Sequence, residues 1–179
     1  KSVEQIIRYV DEVLLPEDFP YRLAGYDNAR PLAEWKELGV RTAYDRPLAP
    51  ADLEAALLVP SGHEGPKFLV YPNFDVVMRW NQSEFYALAV GQLADRLAGR
   101  SGLTNAPPGD APRLSRDQVI ALQEKLNERG FDAGPEDGIP GPQTRAAISR
   151  FQAANGMIAD GFASREVLDA LSLRVAENE

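Results

Sequence analysis

Asp137-Gly138-Ile139-Pro140-Gly141-Pro142-Gln143-Thr144 is the stretch that decides the fold of the second half of the chain, because it returns in a shorter form at Asp160-Gly161-Phe162. An apolar residue and a glutamine precede each copy, as Leu122-Gln123 and then as Phe151-Gln152. Each copy leads into a run with helical apolar spacing. The near repeat predicts a module of three helices over residues 114–173, with an Asp-Gly turn at the entry to its second and third helices.

The ends of these three helices are marked by capping residues. Ser115, with Gln118 three residues later, predicts the capped start of the first helix, and Gly130 predicts its end. Pro142 suits the first turn of the second helix, and Ser164 can cap the third. The predicted inner faces consist of Val119, Leu122 and Leu126; of Ala147, Ile148 and Phe151; and of Val167, Leu168 and Leu171.

The composition limits the kinds of site that the chain can build. With 44% hydrophobic and 26% charged residues, it is typical of a soluble globular protein. Cysteine is absent and His63 is the single histidine, which excludes a thiol peptidase and disfavours a zinc site. The net charge of −8 disfavours nucleic acid as a partner. We therefore expect no metal and no cofactor.

The N-terminal part of the chain mixes helical and strand patterns. Helices are predicted over residues 3–10, over residues 31–38 with Gly39 as the stop, and from the N-cap Ser83 through Leu97. Short strands are predicted over residues 56–59, 67–71 and 76–78, with turn residues between them. Trp35 is predicted to be a core residue. The fold class that follows is α+β, a small antiparallel sheet against helices.

A change of composition separates the two parts. Residues 99–113 are rich in Gly, Pro, Ser and Asn and have no apolar period. The predicted domains are therefore residues 1–98, a linker over residues 99–113, and residues 114–173. Two interpretations of residues 99–113 remain open: a flexible linker, and an ordered loop packed on one lobe. The chain begins at Lys1 with no signal peptide and no membrane-spanning run, so we expect a mature, processed or truncated product.

Several uncommon sequence motifs in the N-terminal part carry a family resemblance. They are Glu12-Val-Leu-Leu-Pro-Glu-Asp-Phe19, Leu32-Ala-Glu-Trp-Lys-Glu-Leu-Gly-Val40, Leu57-Leu-Val-Pro-Ser-Gly62, Tyr71-Pro-Asn-Phe74 and Phe85-Tyr-Ala-Leu-Ala-Val-Gly91. This region resembles the closing segment of lytic murein transglycosylases of the membrane-bound lytic transglycosylase B type. The module at residues 114–173 resembles a peptidoglycan-binding domain.

The resemblance implies a lysozyme-like fold and a particular cleavage chemistry. Such enzymes cut the MurNAc–GlcNAc bond of peptidoglycan with one glutamate. That glutamate protonates the leaving oxygen and then accepts the proton of the muramoyl 6-hydroxyl, which closes a 1,6-anhydro ring. The family's glutamate-bearing helix has no counterpart in this sequence. Glu4 and Glu12 are predicted to be solvated helix acids, so the chain resembles the C-terminal portion of such an enzyme, with its catalytic acid outside it.

The candidate glycan-binding residues, Trp80, Asn81, Ser83 and Tyr86, follow the predicted sheet. By resemblance, Trp80, Asn81 and Tyr86 line the glycan cleft, because aromatic faces and an amide suit the apolar faces and polar rims of sugars. Trp80 stands where the family usually has tyrosine. Two alternatives stay open: that Trp80 and Tyr86 are core aromatics, and that Ser83 is a helix cap and not a ligand contact.

The C-terminal module offers a second set of candidates. Thr144, Arg145 and Gln152 are predicted to touch peptide stems. Asp137 and Asp160 are predicted to form Asx turns, since their loops supply too few oxygens for calcium. His63, in a turn-rich loop with no evident partner, is predicted to be solvated and not catalytic.

The leading interpretation is therefore a lytic transglycosylase anchored to the cell wall by its C-terminal module. Its expected partners are peptidoglycan glycan strands and stem peptides, and the missing N-terminal portion of the same enzyme. The expected location is the periplasm, with outer-membrane association left open. The alternative is a non-catalytic peptidoglycan-binding protein.

Overall fold

Two compact units make up the chain in this computed structural model. The structure describes residues 9–49, 52–81, 83–99, 101–109 and 111–173. The first unit, called here the sheet unit, comprises residues 1–19, 23–60 and 65–106, and the second, the helical unit, comprises residues 20–22, 61–64 and 107–179. Each has its own hydrophobic core.

The sheet unit contains the predicted antiparallel sheet. Its strands are β1 (Val10–Leu14), β2 (Arg30–Pro31), β3 (Arg41–Thr42), β4 (Glu54–Leu58) and β5 (Lys67–Val70), in the order β2-β4-β5-β1-β3. All of these pairings are antiparallel, and they join segments that lie far apart in the sequence. The strands predicted over residues 56–59 and 67–71 are confirmed as β4 and β5.

The first strand corrects two predictions. Val10, predicted on a helix, pairs in β1 with Val70 of β5; residues 3–8 of that predicted helix, with Glu4, lie outside the described residues. Glu12, predicted to be a helix acid, also lies in β1. Its carboxylate accepts the backbone N–H groups of Thr104 at 2.7 Å and Asn105 at 2.9 Å. Val10 and Val13 of β1 are buried in the core, whereas Asp11 and Glu12 between them are only partly buried.

Among its described residues, the sheet unit has three α-helices: α1 (Leu32–Glu37), α2 (Phe74–Trp80) and α3 (Glu84–Leu97). Trp35 of α1 is fully buried, as predicted, and its indole N–H donates to the carbonyl of Ala55 at 2.8 Å. Gly39 follows α1 at a φ of +81°, the left-handed conformation expected of a helix stop. A short 3₁₀ helix covers Tyr21–Leu23.

The strand predicted over residues 76–78 is wrong, because this segment lies in α2. Phe74 is fully buried, and Val77 and Met78 pack against the same core. These three residues have the i, i+3, i+4 spacing of a helix face, which outweighs the strand propensity of two consecutive valines. Val76, on another side, is 58% exposed.

The helical unit contains the predicted three-helix module, with α4 (Arg116–Glu128), α5 (Pro142–Ala154) and α6 (Arg165–Ala170). The predicted capping box is present, since Ser115 accepts from the backbone of Gln118 and donates its own N–H to that side chain. Ser164 caps α6, as predicted. The core consists of the predicted apolar residues Leu122, Leu126, Ala147, Ile148, Phe151, Val167, Leu168 and Leu171, together with Ala133.

Candidate functional site

The junction between α2 and α3 presents the candidate aromatic residues to solvent. Trp80 ends α2 and is 79% exposed. It is six residues after the buried Phe74, which places it about 240° further round the helix and away from the core. Tyr86, in the first turn of α3, is 38% exposed. The alternative that these are core aromatics is therefore wrong.

The two rings form one surface. Their centroids lie 5.9 Å apart and their planes are inclined by 37°, within the range of favourable aromatic pairs. Such a pair offers two adjoining apolar faces at a surface. Sugar rings, which have apolar C–H faces, can lie against faces of this kind.

Asn81 and Ser83 shape the turn between the two helices. The backbone N–H of Asn81 donates to Val77 at 2.9 Å and ends α2. The Asn81 side-chain oxygen accepts the N–H of Ser83 at 3.2 Å, and the Ser83 hydroxyl accepts the N–H of Tyr86 at 3.3 Å as the N-cap of α3. Ser83 is thus a helix cap, whereas Asn81 both turns the chain and adjoins the aromatic pair in sequence.

Tyr26, which the sequence analysis did not single out, supports the start of α2. Its hydroxyl donates to the Asp75 carboxylate at 2.6 Å and its ring packs on Phe74 with centroids 6.1 Å apart. Burial and this hydrogen bond raise the pKa of Tyr26 above its ordinary value of 10.0, so the phenol stays a donor at neutral pH. The contact fixes the helix that ends at Trp80.

The sheet unit also contains a cavity of about 480 Å³. Among its lining residues are Val10, Asp11, Glu12, Tyr71, Gln92 and Asp95. The Tyr71 hydroxyl donates to Asp11 at 2.6 Å. Trp80, Asn81 and Tyr86 do not line this cavity.

In the helical unit, two of the three candidate peptide contacts are buried. Thr144 and Gln152 are 2% and 3% exposed. The Thr144 hydroxyl donates to the Ala133 carbonyl at 3.1 Å and accepts from Gln123 at 3.1 Å. Both side chains are therefore shielded from solvent, and Arg145, which is half-buried, is the candidate that stays at the surface.

Both predicted Asx turns are confirmed. The Asp137 side chain accepts the N–H of Ile139 at 2.8 Å, and the Asp160 side chain accepts the N–H of Phe162 at 2.9 Å. The bonds from Ile139 and from the Gln123 amide stabilise the ionised carboxyl, and they lower the pKa of Asp137 below its ordinary value of 3.8. Asp137 is therefore charged at neutral pH.

His63 has a partner that the sequence did not reveal. Its ring Nδ1 lies 2.8 Å from the Asp160 Oδ2, and its backbone N–H donates to the same oxygen at 2.9 Å. Tyr21 packs edge-on to the imidazole with centroids 6.2 Å apart. The prediction that His63 lacks a partner is wrong, because the residues it meets lie far from it in sequence.

In the described part of the chain, no three His, Asp or Glu side chains are grouped so that they could hold a metal ion. Within the same residues, no helix has the length and apolar character needed to cross a membrane.

Comparison with known proteins places both units in known families. Residues 4–95 match the family described as transglycosylase SLT domain, and residues 115–171 match the putative peptidoglycan binding domain. No curated protein matches the chain. Two crystal structures of SltB3 from Pseudomonas aeruginosa are similar to it, one in complex with NAG-anhNAM-pentapeptide and one with NAG-NAM-pentapeptide. They are 42% and 43% identical to this chain over 92% of its length, each with a TM-score of 0.86. The chain spans 44% of the length of those SltB3 chains.

Proposed function

Because this chain belongs to the family of the transglycosylase SLT domain and also matches a peptidoglycan-binding domain, we propose that it is part of a lytic transglycosylase that cleaves the MurNAc–GlcNAc bond of peptidoglycan. The reaction forms 1,6-anhydromuramic products. SltB3 binds NAG-anhNAM-pentapeptide, a ligand with an anhydro sugar. The match over residues 4–95 carries the proposal, and it disfavours the alternative of a non-catalytic binding protein.

The catalytic acid is proposed to lie in a part of the enzyme beyond this chain. The acids of the sheet unit with visible partners serve structure, since Asp75 accepts from Tyr26 and Glu12 accepts from two backbone N–H groups. A buried glutamate with a raised pKa could serve both steps, because the muramoyl 6-hydroxyl replaces water as the nucleophile. The sheet unit would supply the binding surface for that acid's substrate.

We assign the glycan contact to Trp80, Asn81 and Tyr86. The exposed ring pair would lie against the apolar faces of the sugars. Asn81 would hydrogen-bond an acetamido group or orient the acid. Ser83 would contribute indirectly, by capping the N-terminus of α3, the helix that carries Tyr86.

The helical unit is proposed to hold the enzyme on the cell wall. Residues 1–98 would act on the glycan, residues 99–113 would connect the two parts, and residues 114–173 would bind peptidoglycan, with Arg145 near the stem peptides. Tethering of this kind raises the local concentration of substrate. The substrate implies a location in the cell envelope, and we propose the periplasm, with outer-membrane association as a further possibility to be tested by fractionation.

Product analysis tests the reaction. Sacculi are incubated with the complete polypeptide that contains this chain, and the soluble muropeptides are analysed by mass spectrometry. We expect 1,6-anhydro muropeptides, which are lighter by one water than products with a reducing end. Release of reducing-end products alone would show a hydrolase and contradict the proposal.

Asn81→Ala tests the assigned surface. We expect turnover of the complete enzyme to fall by about tenfold to a hundredfold, as for the loss of a positioning hydrogen bond, while pull-down by sacculi stays unchanged. Asn28→Ala is the matched control, because Asn28 is an exposed amide elsewhere in the sheet unit. Unchanged turnover in Asn81→Ala would remove this residue from the site.

A further inference from the structure

The two Asp-Gly turns of the helical unit are built alike. The first turn is Asp137–Ile139 and the second is Asp160–Phe162. In the first, the Gln123 side chain accepts the N–H of Gly138 at 2.9 Å and donates to the Asp137 Oδ1 and the Ile139 carbonyl, both at 3.2 Å.

The second turn repeats every one of these bonds. The Gln152 side chain accepts the N–H of Gly161 at 2.8 Å, and it donates to the Asp160 Oδ1 at 2.7 Å and the Phe162 carbonyl at 3.2 Å. In both turns the glutamine and the backbone occupy Oδ1. The second oxygen, Oδ2, is left for another partner.

In the second turn that partner is a peptide segment of this chain. His63 brings its backbone N–H and its ring Nδ1 to the Asp160 Oδ2, at 2.9 and 2.8 Å. Gly62 lies so close above Phe162 that a Cβ at this position would be 3.0 Å from the Phe162 Cδ1. The segment thus combines a small residue over the apolar side chain with nitrogen donors to the carboxylate. Asp160 is only 7% exposed as a result.

On the first turn, the corresponding apolar side chain and carboxylate are exposed to solvent. Ile139, the counterpart of Phe162, is 64% exposed. Asp137, the counterpart of Asp160, is also exposed. The hydrogen bonds that its carboxylate accepts from Gln123 and Ile139 both go to Oδ1, and the Arg116 guanidinium, which donates to the Asp137 carbonyl at 3.2 Å, adds positive charge nearby. On the first turn, ionised Asp137 and the neighbouring apolar Ile139 therefore leave exposed the pair of surfaces that Ser61–Glu64 covers on the second turn.

We propose that the first turn is a peptide-binding site, which takes a short peptide with a small residue over Ile139 and an ammonium or N–H donor at the Asp137 Oδ2. The proposal rests on the proposed function, because the stem peptides of peptidoglycan are the peptides that the enzyme would meet. The proposal assigns the stem peptides to a site on the helical unit, whereas the glycan is assigned to the surface at Trp80.

NMR titration of the whole chain tests the site. The probe is a synthetic pentapeptide with one lysine and small residues, and the same peptide with its lysine amine acetylated is the comparison. We expect the amides of Gly138 and Ile139 to shift on titration. We expect acetylation to weaken binding by about threefold to fivefold, the value of one exposed charge pair. Shifts that spare these two amides would overturn the proposal.

Asp137→Asn tests whether the charged Oδ2 of Asp137 contributes to peptide binding. Asparagine keeps one side-chain oxygen for Ile139 and Gln123 but removes the charge, so we expect threefold to fivefold weaker binding that acetylation no longer changes. Glu124→Gln changes the net charge equally on the exposed side of α4 and should bind like the unmodified chain. Equal affinity of Asp137→Asn and the unmodified chain would overturn the proposal.

Ile139→Ser provides a second variant in which the Asx turn is retained. It should weaken binding of both peptides alike, because it removes only the apolar contact, and unchanged affinity would contradict the site. Sacculus pull-down separates this inference from the proposed function. If the chain binds sacculi but Asp137→Asn, Ile139→Ser and acetylation have no effect, only the peptide site fails; if the complete enzyme gives no anhydro products, the proposed function fails.

Discussion

Single positions on short helices decide which side chains of this chain meet solvent. Trp80 and Phe74 lie on the same helix, yet Phe74 is fully buried and Trp80 is 79% exposed. The difference follows from the helix period, since six residues place the two side chains on different faces. An indole exposed to this extent contributes little to the fold and is available for a ligand.

Trp80→Ala tests this separation of stability from binding. The exposed indole loses little packing, so the free energy of unfolding should change by less than about 0.5 kcal/mol. Affinity for glycan strands should fall by about 1–2 kcal/mol, a factor of roughly 5 to 30, because the face that stacks on the sugar is gone. Chemical denaturation measures the first quantity, and co-sedimentation with glycan strands stripped of the stem peptides that the helical unit is proposed to bind measures the second.

Tyr44→Ala is the matched control for that substitution. Tyr44 is an exposed aromatic of the same unit, at 62% exposure, and it lies outside the proposed glycan surface. Its removal should leave glycan affinity unchanged. Equal losses in the two variants would show that exposed aromatics in general, and not the Trp80–Tyr86 pair, bind the glycan.

The sequence predicted part of this site and missed the rest for identifiable reasons. The exposed pair followed from a family resemblance, since an aromatic residue by itself is more often buried. Thr144 and Gln152 look like polar ligands in the sequence, but they satisfy buried backbone groups, which only a three-dimensional structure shows. The partnership of His63 with Asp160 spans 97 residues and leaves no local pattern.

At the scale of elements, amphipathic spacing predicted most helices and strands. The error at residues 76–78 arose because Val76 and Val77 favour strands individually, whereas Phe74, Val77 and Met78 reach one core only as a helix. β1 was missed because its pairing with β5 joins segments that lie far apart in the chain. Caps such as Ser115 and Ser164 were predictable, since their hydrogen bonds are local.

Gly91→Ala tests the packing of α3 on β1. In an exposed helix this substitution would stabilise by about 1 kcal/mol. Here a Cβ at Gly91 would lie 2.6 Å from the Cγ1 of buried Val10, so we expect a loss of about 1–3 kcal/mol in the free energy of unfolding. Adding Val10→Ala should restore part of the loss; a stabilised Gly91→Ala variant would show that α3 does not approach β1 so closely.

Gln123→Ala tests the glutamine that organises the first turn. Gln123 is 1% exposed and makes four hydrogen bonds to the turn and to Thr144. Its truncation leaves several buried groups unpaired, and we expect a cost of about 2–4 kcal/mol. Gln143→Ala, which removes an exposed glutamine bonded to Asp132, should cost less than about 1 kcal/mol in the same denaturation experiment. Similar costs for both variants would argue against the buried network.

At the scale of the whole molecule, one core cluster of described residues lies in each unit and these two clusters share no residue, from which we predict that each unit unfolds by itself. Both tryptophans, Trp35 and Trp80, belong to the sheet unit. Their fluorescence therefore reports that unit alone, while far-ultraviolet circular dichroism also reports α4, α5 and α6. Comparing the two signals during denaturation distinguishes the units without any label.

Leu126→Ala and Leu58→Ala are a matched pair for this comparison. Leu126 is 0% exposed in the core of the helical unit, and Leu58 is 3% exposed in the core of the sheet unit. Each truncation should cost about 2–5 kcal/mol. Leu126→Ala should lower a transition seen by circular dichroism and leave the fluorescence midpoint in place, whereas Leu58→Ala should lower the fluorescence midpoint. If either variant shifts both signals together, the two units unfold cooperatively, and an anchor that folds independently of the glycan-binding unit is ruled out.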